Sequence, residues 1–352
     1  AFVKKAFFVS FIVMTHEFKN IVEEGVMARQ KGMKSVLASV VALDGSSYRR
    51  PGVRMLILDN GTMIGAVSGG CVEKEIILQA QSVFKSGGAK IMTYDGRYRL
   101  GCEGVLYILL EVFNPNKEFV NAFSECLLKR QSFEVHSYFE KKEGLFSGMG
   151  SFVKMNDKFF SLNETGTIEE ASKFSVFKQD MPPCFKLVIV GAEHDAVQLC
   201  QYAALTGWEV TIVAGVKEHK SIKEFPGAHA FYATTPEALD ITSIDSQTAI
   251  VLMTHNFAYD LRYLVALKNT MPNYIGLLGP SKRRDDLLSQ FIEYCPDIED
   301  EFLEAIHGPA GLNIGSETPQ EIAISIVSEI LAFTRNQNPI SLSNKVGRIH
   351  SK

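Results

Sequence analysis

The run Leu187-Val188-Ile189-Val190-Gly191-Ala192-Glu193-His194-Asp195-Ala196 decides the fold of the C-terminal half. Four consecutive apolar residues with no polar alternation are what a strand needs when helices cover both faces of its sheet. A glycine turn follows, and then Val197, Leu199, Cys200, Ala203 and Ala204 recur at helical spacing. Strand-length apolar runs return at 209–213, 249–253 and 274–278, with helix-length segments between them. Alternating βα units of this kind predict a parallel, doubly wound, Rossmann-like sheet.

The turn itself departs from a dinucleotide fingerprint, which uses glycine for the tight turn, for backbone approach to pyrophosphate and for helix packing. Gly191 keeps the first role and Ala196 can serve the third, but Glu193 stands at the second. A carboxylate about 4 Å from a phosphate charge costs roughly 4 kcal/mol at an effective dielectric near 20. The next strand ends Val213-Ala214-Gly215, without the acid that holds an adenosine ribose. Both features argue against NAD(P). An NAD(P)-dependent oxidoreductase with a degenerate fingerprint is the alternative reading. Polar residues still gather where ligands sit in such sheets: Glu193 and His194, Thr254-His255-Asn256, and Ser281-Lys282-Arg283-Arg284. Ser281 is placed to cap its helix, making an anion site with the cations beside it.

Upstream, the polar stretch 163–183 ends in Pro182-Pro183 and reads as a linker. The half before it mixes elements. A helical pattern covers 17–30, an apolar strand 35–42, and two strands at 53–58 and 63–67 flank the hairpin signal Asn60-Gly61. Ser68-Gly69-Gly70-Cys71 opens a helix with apolar residues at Val72, Ile76, Ala80 and Val83. Strands are expected at 91–94 and 105–112 and a helix near 119–130. The fold class is therefore α/β, an N-terminal mixed α+β domain followed by a Rossmann-like doubly wound parallel-sheet domain. The expected divisions are an N-terminal extension 1–14, a domain 15–162, the linker 163–183, a domain 184–335 and a mobile tail 336–352.

The net charge of −4 on 352 residues excludes a generally basic, nucleic-acid-binding surface. No segment has the roughly 20 apolar residues of a membrane span. Lys4-Lys5 and the apolar run after it imitate a signal peptide, yet no small-x-small cleavage pattern follows and Met14 offers a natural start. Six cysteines are scattered without a Cys-x-x-Cys pair, which places the protein in a reducing cytoplasm.

Two of those cysteines stand out. Cys71 begins a helix, where the dipole and free N–H groups favour thiolate, and Cys102 sits in the glycine-rich loop Gly101-Cys102-Glu103-Gly104. Thiols in such loops suit sulfur chemistry or a soft metal. Arg49, Arg50 and Arg54 lie beside Ser46 and Ser47, a grouping able to grip phosphate by forked hydrogen bonds.

Together these segments resemble the XdhC/CoxI family of xanthine dehydrogenase accessory factors. The resemblance rests on Gly45-Ser46-Ser47-Tyr48-Arg49-Arg50-Pro51-Gly52, Ser68-Gly69-Gly70-Cys71-Val72-Glu73 and Gly101-Cys102-Glu103-Gly104. In the second half it rests on Val190-Gly191-Ala192, on Tyr274-Ile275-Gly276-Leu277-Leu278-Gly279, and on Gly308-Pro309-Ala310-Gly311-Leu312-Asn313-Ile314-Gly315 leading into Thr318-Pro319-Gln320-Glu321-Ile322-Ala323. It implies a chaperone, more a maturation factor than an enzyme, that transiently binds the molybdenum cofactor, helps its sulfuration and inserts it into a xanthine-dehydrogenase-type hydroxylase. Implied partners are the apo-hydroxylase, a cysteine desulfurase and a second copy in a homodimer. The candidate contacts are Ser46, Ser47, Arg49 and Arg50 for phosphate, Cys71 and Cys102 for metal or sulfur, and Gly191, His194 and Ser281 in the crevice. The sequence departs from the family's usual turn at Glu193, from the usual acid at Ala214 and from the usual glycine at Glu103.

Overall fold

The computed structural model describes residues 15–45, 50–67, 70–96 and 104–346, and of Cys71 the backbone only. Expectations for 1–14, for the loop residues 46–49, 68–69 and 97–103, and for 347–352 lie outside the described residues. The chain divides into two compact units, one running to Pro183 and the other starting at Cys184.

The first unit contains α1 (Thr15–Gln30), β1 (Ser35–Asp44), β2 (Arg54–Leu58), β3 (Met63–Gly65), α2 (Cys71–Ser86), β4 (Lys90–Asp95), β5 (Val105–Val112) and α3 (Lys117–Leu128). It continues with β6 (Phe133–Phe139), β7 (Gly144–Leu145), β8 (Gly150–Met155), β9 (Lys158–Ser161), α4 (Ile168–Ala171) and β10 (Ser175–Met181). Among the described residues these strands form two antiparallel sheets, ordered β3-β2-β1-β5-β4-β7 and β10-β6-β8-β9. Strand β1 is buried on both faces, which is why its stretch from Val36 to Leu43 is apolar apart from Ser39. Val36, Ala38 and Val40 pack with Val72, Ile76, Ala80 and Val83 of α2. Leu37, with Leu56 and Phe113, packs with Phe18 and Ile21 of α1 and Val135 and Val153 of the second sheet.

The second unit contains β11 (Lys186–Val190), α5 (His194–Leu205), β12 (Glu209–Ala214), β13 (Ala228–Ala233), β14 (Thr248–Leu252), α6 (Phe257–Leu267) and β15 (Tyr274–Leu277). After them come α7 (Ser281–Tyr294), α8 (Asp300–Glu304), β16 (Ile306–His307) and α9 (Pro319–Thr334). The sheet order is β13-β12-β11-β14-β15-β16 with every pair parallel. Counted from β11 this is 3-2-1-4-5-6, the Rossmann order, with its reversal between β11 and β14. Leu187 and Ile189 pack with α5 and α9 through Leu199, Ala203, Ile326 and Ile330. Val188 and Val190 pack with α6 and α7 through Leu264, Leu287 and Phe291 on the other face. Helix α9 starts with the expected capping box, Glu321 N donating to Thr318 Oγ1 at 3.3 Å and Thr318 N to the Glu321 carboxylate at 3.0 Å.

The structure shifts several expected boundaries by one or two residues and overturns one. The stretch 163–183 is no linker. It holds α4 and β10, and β10 pairs with β6 along seven positions from Ser175↔Phe139 to Met181↔Phe133. Its polar sequence reflects an edge strand with one solvated face. Strand β3 stops at Gly65, short of Val67. Strand β13 gives no clear signal in the sequence because its residues are half-buried or exposed, Tyr232 at 59%. No helix among the described residues is long and apolar enough to cross a membrane.

Candidate functional site

The register of the first sheet gathers the three N-terminal motifs. Asp44, where β1 ends, pairs with Val105, where β5 begins, and Val105 also pairs with Asp95, where β4 ends. Gly65, where β3 ends, pairs with Met55 beside the start of β2. The strand ends flanking 45–53, 66–70 and 96–104 thus share one end of the sheet. From β3 to β4 this end spans four strand spacings, roughly 19 Å. Of the predicted contacts here, Ser46, Ser47, Arg49 and Cys102 lie outside the described residues, while Arg50 is half-buried before the Pro51-Gly52 turn. Cys71 is the first residue of α2, and Gly70 N donates to the Glu73 carboxylate at 2.8 Å, satisfying one N–H of that helix start. At the same sheet end Lys141 Nζ donates to Asp44 at 2.5 Å and holds that carboxyl below its usual range.

Arg54 does not face solvent. Its side chain is 3% exposed, Nη1 donates to Gly52 O at 2.9 Å and to Gln179 Oε1 at 2.5 Å, and burial lowers its pKa to about 10, an effect Glu111 opposes. Gly52 has φ +102, and a Cβ there would lie 2.7 Å from the Gln179 amide nitrogen. The base of the Arg-Pro-Gly turn is therefore clamped by a residue of β10. Glu111, also buried, accepts from Ser151 N at 2.7 Å, and desolvation pushes its carboxyl up.

In the second unit the reversal point lies between two loops in close contact. Gly191 sits at φ +143, and a Cβ on it would lie 2.4 Å from the Met253 carbonyl oxygen. Met253 N donates to Val190 O at 2.8 Å. Glu193 precedes α5, its carboxylate 3.7 Å from Lys220 Nζ, which donates to Ala192 O at 2.5 Å. Asp195 then accepts from Ala196 N at 2.9 Å and faces His255 Nε2 at 2.8 Å. A helix start that would attract an anion is lined here by the protein's own carboxylates. Strand β12 ends in buried Ala214, whose carbonyl accepts from Thr234 N at 2.9 Å.

Asp260 organises the loop after β14. Only 2% exposed, it accepts from Thr254 Oγ1 at 2.6 Å, Thr254 N at 3.2 Å and Arg283 Nη2 at 2.6 Å. That bracket fixes the residue before His255, whose own backbone is left-handed at φ +55. Asn256 caps α6, its side chain accepting from Tyr259 N at 3.2 Å.

Gly191 and His194 share the turn after β11, and His194 is the exposed first residue of α5. Ser281 is not a cap. It is the first residue of α7, preceded by Pro280, and no side chain caps that helix. The sequence places His255 and Arg283 among the loop polars without showing their pairings, and nothing in it marks Asp260 or Lys220. Cys126, Cys184, Cys200 and Cys295 are buried, and burial pushes the Cys200 thiol up to about 11. Among the described residues no group of three His, Cys, Asp or Glu side chains could hold a metal ion.

Fold and site together define a class: a mixed α+β unit in which the strand ends flanking its glycine-rich segments share one end of the sheet, followed by a Rossmann-type unit whose first glycine turn is flanked by carboxylates. Residues 187–330 match the family described as XdhC Rossmann domain, and residues 28–95 match the XdhC and CoxI family. The chain belongs to the XdhC and CoxI family. It is 28% identical over 314 residues to a Bacillus subtilis protein named as a probable component of xanthine dehydrogenase, covering 85% of this chain and 92% of that protein. It is 23% identical over 329 residues to the molybdenum cofactor insertion chaperone PaoD of Escherichia coli, covering 92% and 91%. A crystal structure named as a xanthine dehydrogenase from Bacillus halodurans superposes with a TM-score of 0.75 at 24% identity, over 92% of this chain and 98% of that one, and shares the fold.

Proposed function

We propose that this protein is an accessory factor for a molybdenum enzyme, one that takes up the molybdenum cofactor as cargo, protects it during sulfuration and passes it to an apo-hydroxylase of the xanthine dehydrogenase type. The observation that carries the reading is the convergence of strand ends: those that flank the three glycine-rich motifs lie at one end of the first sheet, from β3 to β4. It is supported by a relative named as a cofactor insertion chaperone.

The residues suit the cargo's chemistry. A pyranopterin cofactor carries a terminal phosphate and a sulfur-bound metal. Arg49 and Arg50, with Ser46 and Ser47, supply forked and single donors for the phosphate. Cys71 and Cys102 supply soft ligands for the metal or a landing point for sulfur. Arg54, pinned to Gly52 and Gln179, holds the base of the arginine loop in place. Gly191, His194 and Ser281 line the second unit's crevice. A cysteine desulfurase as sulfur donor, assembly as a homodimer and work in the cytoplasm complete the reading.

Reconstitution tests it. Adding the purified protein to a demolybdo-hydroxylase with free cofactor and a sulfur source should raise hydroxylase activity well above the cofactor-only control, and Arg49→Ala with Arg50→Ala should remove most of that gain. Activation equal to the control would reject the reading.

A further inference from the structure

The crevice of the second unit holds a histidine oriented more completely than an ion pair on the surface requires. His255 follows β14 and Asp195 follows β11, the two strands that flank the reversal of the sheet, so their contact at 2.8 Å bridges the point where open α/β sheets receive ligands. His255 also holds a left-handed backbone, a conformation that costs a non-glycine residue free energy and persists only where its surroundings over-determine it. Here the surroundings are the buried carboxylate of Asp260, bonded to both Thr254 donors and to Arg283. The imidazole remains half exposed, with 52% of its side chain open, while Asp195 is mostly covered at 17%.

We propose that His255 is the acid–base group of this crevice. Asp195 keeps a proton on Nε2, so in the neutral imidazole the lone pair is on Nδ1, the atom left for a ligand. A weakly acidic N–H or O–H of a ligand seated over the strand ends gives its proton to Nδ1. The new imidazolium charge is balanced by Asp195, and the proton returns by the same route. Charge selects the ligand class. Glu193 and Asp195 flank the start of α5; Lys220 lies 3.7 Å from Glu193, while Asp195 meets the His255 ring, and exposed His194 stands beside them. Phosphate is disfavoured at this place, and an uncharged heterocycle with ring N–H donors is favoured. This proposal stands apart from the cargo reading, because it concerns the second unit alone.

Long-range nitrogen–proton correlation spectra of the histidine rings test it on the full-length protein, using His255→Gln for assignment. At alkaline pH wild type should show the Nε2–H tautomer at His255, and Asp195→Asn should lose that preference with the fold unchanged by amide spectra. Guanosine, a neutral probe with ring N–H donors, should shift the Nδ1 resonance and bind about tenfold more weakly to His255→Gln, the loss of roughly one hydrogen bond. Inorganic pyrophosphate should leave the resonance in place. An Nδ1–H tautomer in wild type, a tautomer unchanged in Asp195→Asn, a shift with pyrophosphate, or no shift with guanosine would each overturn the assignment.

Discussion

Replacing Gly191 with alanine probes the contact that closes the second unit's sheet at its reversal point. The glycine backbone lies at φ +143, and a Cβ would stand 2.4 Å from the Met253 carbonyl oxygen and 3.1 Å from Met253 Cγ. The backbone conformation costs a side chain about 1–3 kcal/mol. Pushing the Met253 strand end back to ordinary contact distance is an overpacking strain of about 1–3 kcal/mol more. The sum centres near 4 kcal/mol, and for a cooperative unit of this length that lowers Tm by roughly 8–16 °C. Gly215→Ala is the control. It lies in the same unit with nothing within 4 Å of the added carbon, so its Tm should stay near wild type. Circular-dichroism melts of the three proteins decide the matter. A Gly191→Ala protein melting with wild type would refute the close approach of the two loops and the crevice built on it.

Other consequences are equally open to measurement. Asp260→Asn removes the charge that pairs with Arg283 and weakens the bracket on Thr254; since Arg283 is 25% exposed, the loss should be about 3 kcal/mol, read as a lower urea midpoint at unchanged m-value. Glu111 titrates above the ordinary carboxylate value of 4.5 because burial disfavours its charge. The folded chain therefore holds this proton where the unfolded chain has lost it, and Glu111's contribution falls as pH rises from that value through the folded one; Glu111→Gln should flatten this part of a pH series of urea titrations. Calorimetry with NAD(H) and NADP(H) should show no binding, and Glu193→Gly alone should not restore it, because β12 still ends in Ala214. Micromolar binding would revive the oxidoreductase reading.

The fold is legible where burial leaves a uniform signature. Leu187 to Val190 and the runs at 249–253 and 274–278 are covered on both faces, so periodicity and length suffice. The segment 163–183 reads as a linker because an edge strand buries only alternate positions; of β10, Gln179 and Met181 are covered while Ser175, Val176 and Lys178 are exposed. The site is half legible. Motif residues such as Arg50 and Cys71 announce themselves by composition, but that their loops spring from one sheet end follows from strand order. Arg54 passes for a third loop arginine when charge alone is counted; all five residues of β2 are buried, and its guanidinium turns inward to Gly52 and Gln179. The Asp195–His255 pair joins residues 60 apart in sequence, brought together by the 3-2-1-4-5-6 order and by nothing local.

Anaerobic purification from cells making molybdenum cofactor tests the central claim most directly, with bound metal counted by elemental analysis and bound pterin by fluorescence. Wild type should carry molybdenum and pterin in equal amounts, and Cys71→Ala and Cys102→Ala should each lose most of the metal. Wild-type protein free of both molybdenum and pterin would contradict the account.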